Sequence, residues 1–107
     1  MNISEFLEAR ITEDETQSIK HQESAIRHGW GDYTNRVLAE CDAKRAIIAE
    51  HGPMEVASLD RATWGQPFVV CRVCALGPRQ VVAPCPTIRI LAAVYKDHPG
   101  YKQEWAL

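Results

Sequence analysis

The sequence predicts a mainly helical α+β fold, with about three helices and a short β-hairpin that carries a zinc knuckle. Apolar residues recur at helical spacing over much of the chain. Cys71 and Cys74, separated by two residues, lie between two short apolar runs. A chain of 107 residues has the common size of one domain. We therefore expect a single domain over residues 1–107, with N-terminal helices in 1–51 and a Cys-rich hairpin and C-terminal helix in 67–107.

A first helix is predicted to begin near the N-terminus. Asn2 followed by Glu5 has capping-box spacing, and Ser4 is an alternative cap. The polar second half extends the helix to Ile19 or Ile26. Four apolar residues share one face at helical spacing, namely Ile3, Phe6, Leu7 and Ile11.

A turn and a second helix follow. The segment RHGWGD places Trp30 between two glycines, which predicts a turn that inserts a large side chain into the core. Asp32 is the expected N-cap, and Gly52 with Pro53 ends the helix after His51. Its apolar stripe consists of Val37, Leu38, Cys41 and Ile48, so we expect the Cys41 thiol to be buried as a small apolar group.

The C-terminal third is predicted to contain the hairpin and the last helix. Phe68–Val70 is expected to pair with Gln80–Val82, whereas 52–67 is irregular apart from one helical turn. Pro86 suits the first position of a helix that ends near Lys96 or Asp97. The predicted apolar face of this helix is Ile88, Leu91, Ala92 and Tyr95, and the expected large core side chains of the whole chain are Trp30, Trp64, Tyr95 and Trp105.

Three cysteines have the spacing of a metal site. A CxxC turn lets the sulfurs of Cys71 and Cys74 converge, and Cys85 at a helix start gains from peptide N–H groups that favour a thiolate. Disulfides are the alternative. The chain starts without the basic and then apolar residues of a secretory leader, so we expect the bacterial cytoplasm, where such cysteines bind metal more often than they form disulfides.

A structural zinc requires a fourth ligand, which the sequence leaves open between His51, solvent and His98. Thirteen residues separate Cys85 from His98, and a helix rising about 1.5 Å per residue would carry that histidine nearly 20 Å away. His51 ends a different helix and can approach the hairpin, although it can also cap its own helix. We rank His51 first, solvent second and His98 third. The predicted metal ligands are therefore Cys71, Cys74, Cys85 and His51, and the predicted cofactor is structural zinc.

No catalytic constellation accompanies the cysteines. The sequence contains no HExxH or GxSxG motif and no deaminase pattern, so we expect a non-enzymatic protein and weigh a zinc hydrolase last. It also contains no apolar run approaching the roughly 20 residues of a membrane helix. The expected partner is therefore another protein, with a homodimer through the first helix as one form, and no membrane.

The charge distribution raises nucleic acid as an alternative partner. Residues 1–60 hold 12 acidic and 6 basic side chains, while residues 61–107 hold 2 acidic and 6 basic ones. Arg72, Arg79 and Arg89 could contact phosphates. An acidic half packed against a basic half is the reading we favour, because aromatic residues are sparse among these arginines.

Four segments carry a resemblance to a known family. EFLEARITEDE, RVLAECDAKRAIIAEH, CRVC and PCPTIRILAAVYKDHPGYKQEW are similar to a family of small proteins of actinobacteria and their phages whose function is unknown. The resemblance covers most of the chain and implies site residues only at His51, Cys71, Cys74, Cys85 and His98. It implies no activity, but it favours an accessory protein that engages a host component.

Overall fold

The computed structural model describes residues 1–75 and 81–107. Its three α-helices are α1 (Ile3–Arg27), α2 (Gly31–Glu50) and α3 (Pro86–Ala93). Two strands, β1 (Pro53–Ala57) and β2 (Pro67–Cys71), form an antiparallel hairpin, and two single 3-10 turns lie at Arg61–Thr63 and Gln103–Trp105. The predicted α+β, mainly helical fold class is confirmed. In the part of the chain that the structure describes, we find no helix with the length and apolarity to cross a membrane.

Helix α1 begins where its capping residue predicts. The Asn2 side-chain oxygen accepts a hydrogen bond from the Glu5 backbone N–H at 2.8 Å, which satisfies one of the free donors of the first turn. The helix ends at Arg27, ahead of Gly29 with its positive φ of 80°. Its buried residues include the four of the predicted apolar face, Ile3, Phe6, Leu7 and Ile11.

The turn between α1 and α2 differs from the prediction. Helix α2 begins at Gly31, with Trp30 rather than Asp32 at the N-cap. The Trp30 side chain is 65% exposed and lies beside the His28 ring. The molecule is 64 Å long, and α1 and α2 extend past the core. The turn that joins them therefore lies outside the core, and so does Trp30. Trp64, at the end of the β-hairpin, is also exposed, so this second predicted core residue is wrong as well.

The hairpin pairs strands other than the predicted ones. Strand β2 pairs with β1, a segment that the sequence left as irregular, in a register that sets Met54 opposite Val70. The predicted partner segment instead lies along the other side of β2, where Val82 forms a single bridge to Val70. Gln80 lies outside the described residues. The mixed composition of β1, with Glu55 and Ala57 as weak strand formers, explains why local pattern did not identify it.

Helix α3 starts as predicted and ends earlier. Cys85 is its N-cap and Pro86 its first residue. After Ala93 the backbone changes to tighter i→i+3 hydrogen bonds, such as the bond from the Tyr95 N–H to the Ala92 carbonyl at 2.9 Å. Ile88 and Ala92 are buried, and Leu91 and Tyr95 are partly buried against the same core.

Phe6 is the centre of the aromatic core. Its ring lies 5.1 Å from the Trp105 ring and 6.3 Å from the Tyr95 ring, measured between centroids. Trp105 is buried, which confirms this predicted core residue. Cys41 is also buried, and its Sγ lies 3.9 Å from the Ile11 carbonyl oxygen. Burial raises the pKa of the Cys41 thiol, as expected for a thiol that packs as an apolar group.

Candidate metal centre

Three separate parts of the chain bring four ligand residues to one place. His51 follows α2 directly, and its backbone N–H donates to the Ile47 carbonyl at 2.9 Å. Cys71 is the last residue of β2, and Cys74 lies in the turn after it. Cys85 is the N-cap of α3. The cluster therefore joins the end of one helix, the hairpin and the start of another helix.

The ligand atoms have the separations of a tetrahedral zinc site. One ligand atom from each of the four residues lies within 4.8 Å of the others. His51 Nδ1 is 3.4 Å from the Cys71 sulfur, 3.5 Å from the Cys74 sulfur and 3.5 Å from the Cys85 sulfur. Zinc bonds of about 2.3 Å to sulfur and about 2.0–2.1 Å to nitrogen, at a tetrahedral angle, separate nitrogen and sulfur by about 3.5 Å. The three nitrogen–sulfur separations therefore fit a tetrahedral metal ion.

The backbone next to the cluster explains how His51 reaches the cysteines. The Arg72 N–H donates to the Gly52 carbonyl at 2.9 Å, which continues the β1–β2 ladder by one pair beyond Pro53 and Cys71. His51 precedes Gly52 and Cys71 precedes Arg72, so this hydrogen bond holds His51 at the end of the hairpin where Cys71 lies. The Cys71 sulfur also lies 3.7 Å from the His51 carbonyl oxygen. Strand β1, which the sequence did not predict, thus helps to position the nitrogen ligand.

Neighbouring thiols of the cluster compete for ionisation, and a bound cation would remove this competition. Burial raises the pKa of Cys71, but hydrogen bonds from the backbone of Cys74 and Val73 and from the His51 side chain outweigh burial and lower this pKa to about 7. The hydrogen bond with Cys71, burial and the neighbouring Cys85 raise the pKa of Cys74 to about 12. One thiolate therefore forms at the expense of the next. A divalent ion removes this competition because it allows all three thiols to ionise.

The cluster is partly shielded from water. Cys71 and Cys85 are fully buried, whereas Cys74 and His51 are partly buried. All four cysteines of the chain are free thiols, including Cys41, which lies outside the cluster. The arrangement is a sulfur-rich Cys3His set that suits Zn²⁺ by ligand type.

His98, which the sequence ranked third as fourth ligand, lies elsewhere. Its ring packs against the Phe6 ring, with 5.6 Å between centroids. It also contacts the Arg10 guanidinium, and its Nδ1 accepts a hydrogen bond from the Gly100 N–H at 2.8 Å. Helix α3 and the turns after it separate His98 from Cys85, as the helical rise predicted. Of the residues implied by the family resemblance, His98 is the one that the structure leaves out of the cluster.

The fold and the site define a class of protein, a small α+β domain whose hairpin and helices meet at a Cys3His cluster. The whole chain, residues 1–107, matches the model of a family of unknown function, DUF6221, and the protein belongs to that family. No curated protein and no solved structure is significantly similar to the chain.

Proposed function

We propose that the protein is a small zinc-stapled domain whose role is protein binding or regulation. The observation that carries the proposal is the geometry of the four ligands, with His51 Nδ1 at 3.4–3.5 Å from three sulfurs. Each separation agrees with the value for tetrahedral zinc. When bound, the ion would fasten the end of α2 and the start of α3 to the hairpin.

The closed ligand set supports a structural role for the metal. Catalytic zinc sites use three protein ligands and keep the fourth position for water or substrate. Here His51, Cys71, Cys74 and Cys85 fill four positions. The proposal therefore assigns no catalytic function, and a zinc hydrolase remains the least favoured alternative.

A protein partner is favoured over nucleic acid because one of the three relevant arginines is already engaged. The Arg89 Nε donates to the Trp105 carbonyl at 3.0 Å, and another guanidinium nitrogen donates to the Ala106 carbonyl. Arg79 lies outside the described residues. Arg72 is exposed. Among the described members of this set, one exposed arginine beside the cluster gives little of the basic surface that phosphate binding requires.

A homodimer through α1 is a second arrangement within the same proposal. Ile19 and Ile26 are each 61% exposed, and their spacing of seven residues places them on one helix face. A second copy could cover this face. Sedimentation analysis across a wide concentration range tests the arrangement, and a strictly monomeric chain would exclude it.

The proposal places the protein in the bacterial cytoplasm, where a reducing environment keeps zinc thiolates from oxidation. The family resemblance further favours an accessory protein of actinobacteria or their phages that engages a host protein. We expect the protein to retain a single partner from a nuclease-treated actinobacterial lysate. We also expect it to show no affinity for duplex or single-stranded nucleic acid at low salt.

Metal analysis of protein purified without added metal tests the zinc site. We expect about one zinc per chain, as for a closed structural site. Cys85→Ala should lose zinc, whereas the matched variant Cys41→Ala should retain it because Cys41 lies in the core away from the cluster. Wild-type protein with less than about 0.2 zinc per chain and unchanged melting in chelator would contradict the proposal.

A further inference from the structure

The outer side of β1 is an open sheet edge. Two hydrogen bonds fix which backbone groups face β2, namely Arg72 N–H to the Gly52 carbonyl at 2.9 Å and Ser58 N–H to the Gln66 carbonyl at 2.8 Å. In an antiparallel pair, alternate residues direct their backbone N–H and C=O groups toward the partner strand. The even-numbered residues from 52 to 58 therefore hydrogen-bond to β2. The N–H and C=O groups of the odd-numbered residues of β1 point away from β2.

The opposite edge of the sheet is covered. The Cys71 N–H donates to the Val81 carbonyl at 2.9 Å, and the Ala83 N–H donates to the Val69 carbonyl at 3.1 Å. Residues 81–83 therefore occupy the outer side of β2. Of the two strands, β1 is the one whose outer side is not paired with another described segment.

This edge presents a defined set of backbone groups. Pro53, Glu55 and Ala57 are all exposed. Their outward groups are three carbonyl acceptors and two N–H donors, because Pro53 has no N–H. An added strand could pair with all five. Two partly or fully exposed apolar residues, Met54 and Val56, alternate with them on the other face of the strand.

Glu55 determines which kind of strand fits the edge. It is the one charged residue of β1, it stands opposite Val69 in the hairpin, and it forms no ion pair within the described residues. A second copy of β1 in symmetric antiparallel pairing would place Glu55 against Glu55, and like charges directly opposite each other destabilise a sheet. A basic residue in that position would instead be stabilised.

We propose that β1 accepts an extended segment of a partner protein as a third strand, with Lys or Arg opposite Glu55 and apolar side chains on either side opposite Met54 and Val56. In this mode the backbone hydrogen bonds supply affinity and the alternating side chains supply specificity. The inference rests on the proposed function, since it names the partner segment of a protein-binding domain. The metal site supports the edge because His51 and Cys71 lie at the same end of the hairpin.

A peptide titration of the zinc-loaded full chain tests the inference. The probe is the acetylated and amidated peptide TVKVT, and its matched control is TVEVT. Backbone amide NMR should show saturable shifts and slowed hydrogen exchange at Glu55 and Ala57, whose N–H groups face outward. We expect TVEVT to bind at least about threefold more weakly than TVKVT. Opposite charges across neighbouring strands stabilise the pairing, whereas like charges destabilise it.

Two variants separate strand addition from other binding. Glu55→Lys should reverse the preference, so that TVEVT binds more tightly than TVKVT. Ala57→Pro removes an outward donor and leaves the inward hydrogen bonds intact, as prolines on edge strands do, and should weaken both peptides. Glu40→Lys is the charge control, because this exposed residue of α2 makes the same change in net charge away from the edge. It should leave the preference unchanged.

Three results would overturn the inference. The first is no amide shift at residues 54–57 with millimolar TVKVT, and the second is an unchanged preference in Glu55→Lys. The third is a set of shifts at β1 that depend on protein concentration without peptide, which would indicate pairing with a second copy. The zinc content of the same samples keeps the two proposals apart. Full zinc without peptide binding refutes strand addition alone, whereas absent zinc refutes the metal site whatever the peptide does.

Discussion

His51 supplies the one nitrogen of the cluster, and its position could be inferred from distances along the chain alone. A helix of known rise carries His98 away from Cys85, while His51 ends another helix. The location of the hairpin strand next to His51 could not be inferred in the same way. Which segment pairs with β2 depends on contacts far apart in sequence, and nothing in residues 53–57 alone specifies them.

Replacing His51 tests its role as ligand at the scale of one residue. His51→Ala should lower zinc affinity by more than the roughly 10–100-fold that loss of a second-shell partner costs, because it removes a direct ligand. A competition titration with a chromogenic chelator measures the affinity. His98→Ala is the matched control and should bind zinc as the wild type does, although loss of its packing on Phe6 lowers stability. Equal zinc affinities in the two variants would remove His51 from the site.

The Tyr95 hydroxyl makes a polar contact across the core. It donates to the Asp14 carboxylate at 2.8 Å, and Lys44 Nζ donates to it at 3.3 Å. Burial and the neighbouring Asp14 raise the pKa of Tyr95 above its ordinary value of 10. A raised pKa in the folded state means that the contact stabilises the fold fully below about pH 10, and that this stabilisation is lost as pH rises above that value.

Removal of this hydroxyl should therefore be measurable. We expect Tyr95→Phe to lower the free energy of unfolding by about 1–3 kcal/mol, because it leaves a charged acceptor without its donor. Urea denaturation at pH 7 measures the difference, and repetition above pH 10 should show it shrinking. Tyr101→Phe is the control, since the Tyr101 hydroxyl makes no hydrogen bond within the described residues. A Tyr95→Phe variant as stable as that control would show that the Asp14 contact contributes nothing.

At the scale of elements, the sequence predicted the starts of α1 and α3 but not the start of α2 or the exposure of the turn residues. Asn2 and Pro86 act locally, through a cap and a fixed φ, so both positions could be inferred from neighbouring residues. Trp30 and Trp64 could not be placed this way, because exposure depends on how far a turn lies from the core. A large aromatic residue in a glycine turn fits a core or a projecting end equally well.

Arg45 of α2 forms ion pairs with two glutamates of α1 and so bridges the two helices. Its Nε lies 3.2 Å from a Glu8 carboxylate oxygen, and its Nη2 donates to Glu15 at 2.7 Å. The hydrogen bond from Arg45 lowers the pKa of Glu15. A lowered pKa in the folded state stabilises the fold at pH values above the ordinary pKa, and this stabilisation is lost as pH falls through the lowered value.

Arg45→Gln should lower the melting temperature at neutral pH, and the difference from wild type should shrink in acid as Glu15 becomes protonated. Added salt should also shrink it, since the contact is accessible to solvent. Thermal denaturation at pH 7 and near pH 2.5 provides the comparison. Arg36→Gln serves as control because Arg36 is exposed on the same helix without an ion pair among the described residues. A melting difference that is constant with pH would contradict the role of Glu15.

At the scale of the whole molecule, the two halves differ in what stabilises them. Helices α1 and α2 pack through their own apolar stripe, with Ile11 and Cys41 fully buried at their contact. The hairpin consists of two five-residue strands, and a hairpin of this size is at best marginally stable in water. The four ligands lie where the hairpin meets α2 and α3, so bound metal would contribute most of the stability of the C-terminal half.

Removal of the metal should therefore unfold the molecule unevenly. Structural zinc contributes about 10–16 kcal/mol in small domains, which is as large as the whole stability of a typical domain at about 5–15 kcal/mol. In chelator, we expect hydrogen exchange to lose protection at Met54, Val56, Phe68 and Val70, whose N–H groups bond across the hairpin. Helices α1 and α2 should keep part of their protection because their packing does not use the ligands. Cys85→Ala should resemble the chelated wild type and respond no further to chelator. Unchanged protection of both strands after verified metal loss would mean that packing around Val70 and Ile88, and not the cluster, holds the hairpin in place.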